Sequence, residues 1–339
     1  MRVSLILTVF NEAASLPALL DSLAGQTRPP DEIVVADGGS RDGTQAVLDE
    51  HTGRLPLRRL DAPGANISQG RNIAIRAAQH DIIAVTDGGV RADPSWLEEL
   101  VRPFAASNAG SPALVSAPRA VAGFFAPEAG TVFELAMGAT VLPEARDVNP
   151  RTYLPSSRSL AFRREVWQAV GGYPEWLDYC EDVVFDQEVR RRFGPFAFQP
   201  QALVYFRPRS SLRAFARQYY QYARGDGKAG LFPRLHLIRY FTYLVLAPLI
   251  AYAELTVSPW LFLLYIVGGL AYVRRPYQRL WPRLGPLTTF QRMQAVAYIP
   301  LIRLAGDLAK MAGYPVGIWW RLTRPKPFPA RQEPDHHLK

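Results

Sequence analysis

The chain has 339 residues, of which 48% are hydrophobic, enough for one large α/β domain with an appendage or for two modest domains. Its formal net charge of +9 is concentrated at one end: residues 207–339 hold 20 basic and 5 acidic side chains, while residues 1–206 carry an acidic excess. Such a basic third indicates binding to nucleic acid or to an anionic membrane surface, and the residues between the charges distinguish the two.

Short apolar strands alternate with helices along the first half of the sequence. The predicted segments, in chain order, are a strand at 3–9, a helix at 13–23, a strand at 32–36, helices at 42–50 and 72–78, and a strand at 81–85. This alternation is typical of βαβ units, so it predicts an α/β fold with a doubly wound, mostly parallel sheet. The first apolar run is too short for a signal peptide, and the lone Cys180 cannot form an internal disulfide, so a reducing compartment is expected.

The middle of the sequence is less regular. Residues 111–155 give no pattern on which an element can be placed. A strand followed by a helix is predicted at 159–170, and a further helix at 181–193.

The basic third contains a long apolar stretch. Residues 240–273 carry a single charge, Glu254. This length suits two short membrane-spanning helices joined near Glu254, and the arginines on both flanks predict that both ends face the cytoplasm. A buried helical hairpin in a soluble core is the alternative.

The apolar segment 296–320 is interrupted by charges and is expected to lie at a membrane interface. Together with the apolar stretch at 240–273, it indicates that the basic third binds lipid and not nucleic acid.

Polar side chains follow the first two predicted strands at their carboxyl ends, where parallel sheets bind ligands. Thr8 and Glu12 border the first end, and Asp37 precedes two glycines at the second. These groups suit ribose hydroxyls or a base edge. Helix capping after the first strand and an ordinary strand–helix turn after the second are the alternatives. No G-x-G-x-x-G follows the first strand, which argues against a dinucleotide-binding fold.

Two arginines are candidates for contacts with phosphate. Arg71 stands near the start of a predicted helix after flexible glycines, and Arg158 precedes the strand of 159–170. A guanidinium group can donate two parallel hydrogen bonds to diphosphate oxygens. A solvated surface arginine is the alternative for Arg71.

The stretch DIIAVTDGGV, residues 81–90, places a carboxylate at the exit of a buried strand. Asp87 precedes Gly88 and Gly89, which permit close approach of a ligand. Mg²⁺ typically binds one or two protein carboxylates together with substrate phosphates, so Asp87 is a candidate metal ligand. An aspartate in an ordinary turn is the alternative.

In this order the motifs resemble those of the family 2 inverting glycosyltransferases of the GT-A fold, over roughly residues 3–230. The matching segments are 8–12, 37–44, 71–72, 87–89, 181–182 and 218–222. Two departures stand out. Gly89 replaces the second aspartate of D-x-D, and Gln221-Tyr222 replaces the Arg-Trp of Q-x-x-R-W.

The resemblance implies that Asp182 is the catalytic base, with Glu181 beside it. Inverting transfer needs a carboxylate to take the acceptor proton while the diphosphate leaves from the opposite face, and a second close carboxylate raises the proton affinity of the pair. An acidic helix start stabilised by the helix dipole is the alternative. Gln218 and Arg224 are expected to contact the donor, and Arg217 and Arg224 are the candidates for the charge that Gln221 lacks.

The sequence therefore predicts a glycosyltransferase integral to the cytoplasmic membrane, with its catalytic domain and both termini cytoplasmic. A sugar would pass from a nucleoside diphosphate donor, with Mg²⁺ or Mn²⁺ on Asp87, to a lipid-linked or glycan acceptor. The expected parts are a nucleotide-sugar-binding half at 1–110, an acceptor and catalytic half at 111–233, and a membrane region at 234–339. A catalytically inactive sugar-nucleotide-binding scaffold and a nucleotidyltransferase are the alternatives.

Overall fold

The computed structural model describes residues 1–105 and 117–324. The chain divides into two compact units, here called the sheet unit and the helical unit. The sheet unit consists of Met1–Glu128 and Glu144–Arg207, and the helical unit consists of Ala129–Pro143 and Pro208–Lys339.

The described part of the sheet unit contains one sheet of eight strands, in the order β3-β2-β1-β4-β7-β6-β8-β5. The strands are β1 Val3–Val9, β2 Glu32–Asp37, β3 Leu57–Asp61, β4 Ile82–Val85, β5 Val90–Ala92, β6 Ala120–Pro127, β7 Leu160–Arg163 and β8 Ala197–Phe206. The first four are parallel to one another, and β6 is parallel to β8. The strand β7 runs antiparallel to β4 and β6, and β5 runs antiparallel to β8. The sheet is thus mixed, with its parallel half built by the amino-terminal sequence.

The described ranges also contain the helices. They are α1 Leu16–Ala24, α2 Thr44–His51, α3 Ile67–Ala77, α4 Trp96–Ala105, α5 Val132–Val141, α6 Arg164–Val170, α7 Glu181–Phe193, α8 Leu212–Ala229, α9 Pro233–Phe241, α10 Ala247–Thr256, α11 Leu263–Leu280 and α12 Thr289–Thr323.

The core lies on both faces of the parallel strands. Alternate residues of a strand point to opposite faces, so Leu5 and Leu7 of β1 pack with the leucines of α1, while Ile6 packs with Ala74 and Ile75 of α3. Burial on both faces explains why β1 and β2 are almost continuously apolar. The predicted doubly wound α/β arrangement is confirmed.

Several element bounds differ from those expected. The helix predicted from residue 72 begins five residues earlier, because Asn66 and Gln69 form a reciprocal capping box. The structure adds elements that were not predicted, among them the strands β3, β5, β6 and β8 and the helices α4, α5 and α8. Residues 111–116 of the unassigned stretch lie outside the described residues.

The helical unit is built on close contact between α8 and α12. A Cβ added to Gly313 would lie 2.2 Å from the Tyr220 carbonyl oxygen, and one on Gly317 would lie 2.1 Å from the Arg224 carbonyl oxygen. Only glycine lets the two backbones approach this closely. The segment predicted to be interfacial, 296–320, lies within α12.

The apolar stretch 240–273 folds as α9, a π-helical segment Thr242–Leu246, α10 and α11. Among the described residues, one helix is long and apolar enough to cross a membrane, Pro233–Thr256. Its large apolar side chains face outward, since Leu249 and Leu255 are 58% and 86% exposed. The second predicted span falls on α11, which carries Arg274 and Arg275 in its second half.

Candidate active site

Three predicted site residues mark one edge of the sheet unit, at the carboxyl ends of neighbouring parallel strands. Thr8 pairs with Ala36 near the end of β1, and Asp37 is the last residue of β2. Asp87 follows two residues after β4, which lies on the other side of β1. These polar groups therefore border the position at which open parallel sheets bind their ligands.

The Asp37 carboxylate accepts hydrogen bonds from the turn after β2 and from the start of α2. Its Oδ1 accepts hydrogen bonds from the backbone N–H groups of Gly39 and Ser40, at 3.1 and 2.9 Å, and from the Ser40 hydroxyl at 2.7 Å. Its Oδ2 accepts from the Gln45 amide at 2.8 Å. Burial raises the pKa of Asp37, but the hydrogen bonds from Ser40 and Gln45 outweigh it and hold the pKa below its usual value. Oδ2, with one hydrogen bond, keeps more capacity to accept from a ligand than Oδ1, with three.

Thr8 and Glu12 shape the first strand end. The Thr8 methyl group packs on α3 at Gly70, where an added Cβ would lie 2.9 Å from it. Glu12 donates its backbone N–H to the Thr44 hydroxyl at 2.8 Å, and its half-buried carboxylate accepts a hydrogen bond from Ser15. Both residues thus stabilise the local loop.

The centre of the site is Arg71, whose side chain is only 2% exposed. Its Nη1 donates to Glu181 Oε1 at 2.6 Å, and its Nη2 donates to Asp87 Oδ1 at 2.8 Å. Burial disfavours the charge on Arg71, but Asp87 and Glu181 more than offset this and raise its pKa. One guanidinium group therefore joins the carboxylate after β4 to the acidic start of α7.

The acidic pair lies where α7 begins. The preceding residue, Cys180, has a φ of +64°, so a tight left-handed turn leads into Glu181. Glu181 is buried, and half-buried Asp182 accepts a hydrogen bond from the Val183 N–H at 2.8 Å. Burial raises the pKa of both carboxyls, the Asp182 charge adds to the effect on Glu181, and Arg71 opposes it in each. A carboxylate with a raised pKa is a stronger proton acceptor.

Arg158 flanks the same carboxylate from the other side. Its Nε lies 3.7 Å from Asp87 Oδ2, and its guanidinium group stacks over the Phe206 ring at 4.7 Å. The structure thus brings together five of the predicted residues, namely Arg71, Asp87, Arg158, Glu181 and Asp182.

Gln218 and Arg224 lie on α8, in the helical unit. The Gln218 side chain donates to the Tyr222 hydroxyl at 2.7 Å. Their predicted contact with the donor stays a prediction.

One acidic residue of the site was not predicted. Asp186 lies one helical turn after Asp182, is fully buried, and has no hydrogen-bond partner among the described residues on either carboxylate oxygen. Burial and the charge of Asp182 raise the pKa of Asp186 well above the usual value, which favours the neutral form of this carboxyl. The i, i+4 spacing of the two aspartates in EDVVFD was the available signal.

A mixed sheet with acidic and basic side chains gathered at the carboxyl edge of its parallel half is the arrangement of a GT-A glycosyltransferase. Residues 4–125 match the family model described as Glycosyl transferase family 2, and residues 66–297 match that described as Glycosyl transferase family 21. The chain therefore belongs to these glycosyltransferases: it carries a family 2 domain, and the family 21 match extends over more than half of its length. The predicted family is confirmed.

Characterised relatives and solved structures agree with this assignment. The chain is 27% identical over 303 residues to the succinoglycan biosynthesis protein ExoA of Rhizobium meliloti, covering 86% of this chain and 89% of that protein. It is 24% identical over 208 residues to the O-antigen chain rhamnosyltransferase RfbN of Salmonella typhimurium, covering 60% of this chain and 66% of that protein.

The fold is shared with a mannosyltransferase from Pyrobaculum calidifontis, solved in complex with GDP-Man and Mn²⁺, at a TM-score of 0.60 and 18% identity, covering 91% of this chain and 87% of that one. It is also shared with residues 1–349 of S. aureus TarS in complex with UDP, at a TM-score of 0.51 and 16% identity, covering 96% and 92%. The GT-A fold prediction is confirmed.

Proposed function

We propose that the chain transfers a sugar, with inversion, from a nucleoside diphosphate donor to a lipid-linked or glycan acceptor at the cytoplasmic face of a membrane. The observation that carries this proposal is the buried Arg71, which joins Asp87 to the Glu181–Asp182 pair through contacts of 2.8 and 2.6 Å. Arg71 thus holds two parts of the site in one charged cluster. One is Asp87, which suits the leaving diphosphate, and the other is the acidic pair, which contains the carboxylate suited to the acceptor proton.

Asp182 is the base in this proposal. It takes the proton from the acceptor hydroxyl as that oxygen attacks the anomeric carbon, while the nucleoside diphosphate departs from the opposite face of the sugar. Burial raises the pKa of Asp182 and so strengthens it as an acceptor. Glu181, held by Arg71, fixes the start of α7 and keeps a second negative charge beside the base.

Donor binding is assigned to the carboxyl edge of the sheet. Thr8, Glu12 and Asp37 border the nucleoside, and Arg71 and Arg158 offer positive charge to the diphosphate. Arg158 suits the phosphate role best, because its guanidinium group is 25% exposed and is not bound closely to Asp87. Arg71 is enclosed, so its effect on phosphate acts through its charge and through Asp87.

A divalent cation fits this site only as a partner of the donor. No group of three or more potential metal-ligating side chains lies among the described residues. Asp87 Oδ1 accepts a hydrogen bond from Arg71, and Asp87 Oδ2 lies 3.7 Å from Arg158 Nε. Asp87 would thus offer one oxygen to Mg²⁺ or Mn²⁺, with donor phosphates and water supplying the rest. Bound there, the ion would neutralise charge on the leaving diphosphate.

The membrane assignment rests on the helical unit. Helix Pro233–Thr256 is apolar and almost entirely exposed, and Arg234 and Arg239 stand near its start. The exposed apolar side chains continue onto α12, where Phe290 and Trp319 are 65% and 70% exposed. Large apolar surfaces of this kind mark membrane or protein contacts, and the basic flanks favour an anionic lipid surface with both termini cytoplasmic.

The assay that tests the function combines a donor panel with a substitution of the base. Purified chain is screened by thermal shift against UDP-, GDP- and dTDP-sugars with and without Mn²⁺, and the donor that binds is used with membranes of the source cell as acceptor. Asp182→Asn should retain donor binding and lower transfer by about 10²- to 10⁴-fold. Glu188→Gln, on the same helix and paired with Arg191 at its surface, is the matched control and should act like wild type.

The anomeric configuration of the product, read by NMR, tests inversion. Undiminished transfer by Asp182→Asn would place the base elsewhere. Donor binding without any transfer would favour the inactive scaffold. The replacement of the second D-x-D aspartate by Gly89 is the sequence feature that supports this alternative.

A further inference from the structure

Asn72 is the polar hub between α3 and the loop that leads to α7. It is 3% exposed. Its Oδ1 accepts from the Trp167 indole N–H and from the Tyr173 backbone N–H, both at 2.9 Å. Its Nδ2 donates to the Tyr173 carbonyl at 2.8 Å and to Glu175 Oε1 at 2.9 Å. Both lone pairs and both N–H groups of the amide are thus used, and nothing else of the same shape makes this set of bonds.

The loop is shaped to receive this amide. Gly172 has a φ of +81°, which side chains rarely adopt, and an added Cβ would lie 2.8 Å from Asn72 Oδ1. A side chain at position 172 would therefore collide with Asn72, and glycine allows the loop backbone to approach it.

Tyr173 carries the contact onward to the catalytic helix. Its ring is 1% exposed and stacks on Phe185 of α7, with centroids 4.2 Å apart. Phe185 lies three residues after Asp182 on that helix, and the Arg71 guanidinium group lies 5.1 Å from the same Tyr173 ring. A continuous path of contacts thus runs from Asn72 through Tyr173 to the helix that bears the base.

We propose that Asn72 is a positioning residue for Asp182: it fixes the loop 172–175, and through the Tyr173–Phe185 stack it sets where α7 places the base. The inference rests on the proposed function, since it assumes that Asp182 takes the acceptor proton. Arg71 and Asn72 are then neighbours with complementary tasks, because Arg71 binds Glu181 of the acidic pair directly and Asn72 fixes the loop before it.

The test is a double-substitution cycle on the whole chain, with transfer to source-cell membranes and the donor found above. Asn72→Ala should lower the transfer rate about 10- to 100-fold, the scale expected when a catalytic group is displaced by about 1 Å. Donor affinity, measured by calorimetry, should stay within about twofold. In the Asp182→Asn background the same change should have almost no effect, because residues that act through one another are not additive.

Gly172→Ala provides a second, independent variant, since its methyl group presses on Asn72 from the loop side while the amide remains. It should reproduce the loss of transfer and the same lack of additivity, and it keeps the test open if Asn72→Ala does not fold. Arg76→Gln is the matched control: Arg76 is 56% exposed, comes from the same helix and pairs with the same Glu175 at 3.0 Å. Its transfer rate should remain within about twofold of wild type.

Full additivity of Asn72→Ala or Gly172→Ala with Asp182→Asn would overturn the inference, as would a parallel loss of donor affinity, which a general structural role predicts. If Asp182→Asn itself transfers at the wild-type rate, the base assignment falls and this inference falls with it. If Asp182→Asn lowers the transfer rate and the effect of Asn72→Ala adds to it in full, the positioning role of Asn72 is wrong while the base assignment stands.

Discussion

Replacing Arg71 by methionine should destabilise the sheet unit strongly. The Arg71 side chain is 2% exposed and makes two ion pairs, with Glu181 and Asp87, whose side chains are 8% and 27% exposed. Removal of one partner from a buried ion pair costs about 3–5 kcal/mol, because the remaining charge is left without compensation. For a unit of this size that corresponds to a fall in the apparent unfolding temperature of about 6–20 °C.

The matched control is Arg76→Met on the same helix. Arg76 is 56% exposed and its partner Glu175 is 43% exposed, so this change should cost about 1 kcal/mol or less. Thermal unfolding of both variants, followed by circular dichroism, provides the comparison. An Arg71→Met loss no larger than that of Arg76→Met would refute the reasoning.

The pH dependence of the loss gives a second check. Without Arg71 the pKa of buried Glu181 should rise further above its unfolded value. A carboxyl whose folded pKa is raised contributes stability below the unfolded pKa and loses it as pH rises through the folded pKa. Arg71→Met should therefore be more destabilising at pH 8 than at pH 5, and adding Glu181→Gln should recover part of the loss at pH 8. A loss independent of pH would show that Glu181 is not the group left uncompensated.

Three further predictions follow from the same structure. Asp87→Ala should abolish the mutual tightening of nucleotide and Mn²⁺ binding, measured by calorimetry with each alone and both together, while metal-free nucleotide binding is largely kept. Asp186→Asn should raise the unfolding temperature at pH 8 and have little effect near pH 4, because a buried carboxyl with a raised pKa costs stability as the pH rises from its usual pKa towards its raised pKa, by about 1.4 kcal/mol per pH unit in that interval. An equal shift at both pH values would contradict a raised pKa of Asp186. Leu249→Glu should weaken binding of the whole chain to anionic vesicles in a flotation assay at least tenfold, whereas Thr52→Glu, an exposed site in the sheet unit, should not.

The parallel half of the fold could be predicted because its signals are local. The strands β1, β2 and β4 are buried on both faces and are therefore almost continuously apolar. Helix α7 has the predicted bounds, Glu181–Phe193. In contrast, β3 (LRRLD) is an edge strand whose arginines remain partly exposed, so it lacks an apolar pattern. The helix α5 was missed among alanines and glycines, although its capping box at Thr131 and Glu134 was visible.

The sequence predicted most residues of the site but not the contacts between them. Asp87 and the Glu181–Asp182 pair were expected from motifs, each at a strand or helix end. The contact between Arg71 and Glu181 joins positions 110 residues apart, and nothing in the local sequence of either residue specifies it. Arg71 was expected to face a diphosphate as a surface group would, whereas its burial directs both of its amino groups to carboxylates. Asp186 was missed because a lone aspartate on a helix is usually solvated, and only tertiary packing buries it.

The charges of the assembled cluster explain why nucleotide and metal should bind together. The cluster holds the carboxyl groups of Asp87, Glu181 and Asp182 beside the guanidinium groups of Arg71 and Arg158. A diphosphate that entered alone would place its negative charge beside these carboxyl groups, at a position where burial reduces screening by water. A divalent cation that entered alone would meet one carboxylate already bonded to Arg71. Binding of the two together satisfies both requirements, since the phosphates provide the missing ligands and the cation cancels their charge. In the proposed site, the replacement of the second D-x-D aspartate by Gly89 should therefore make metal binding depend on the donor.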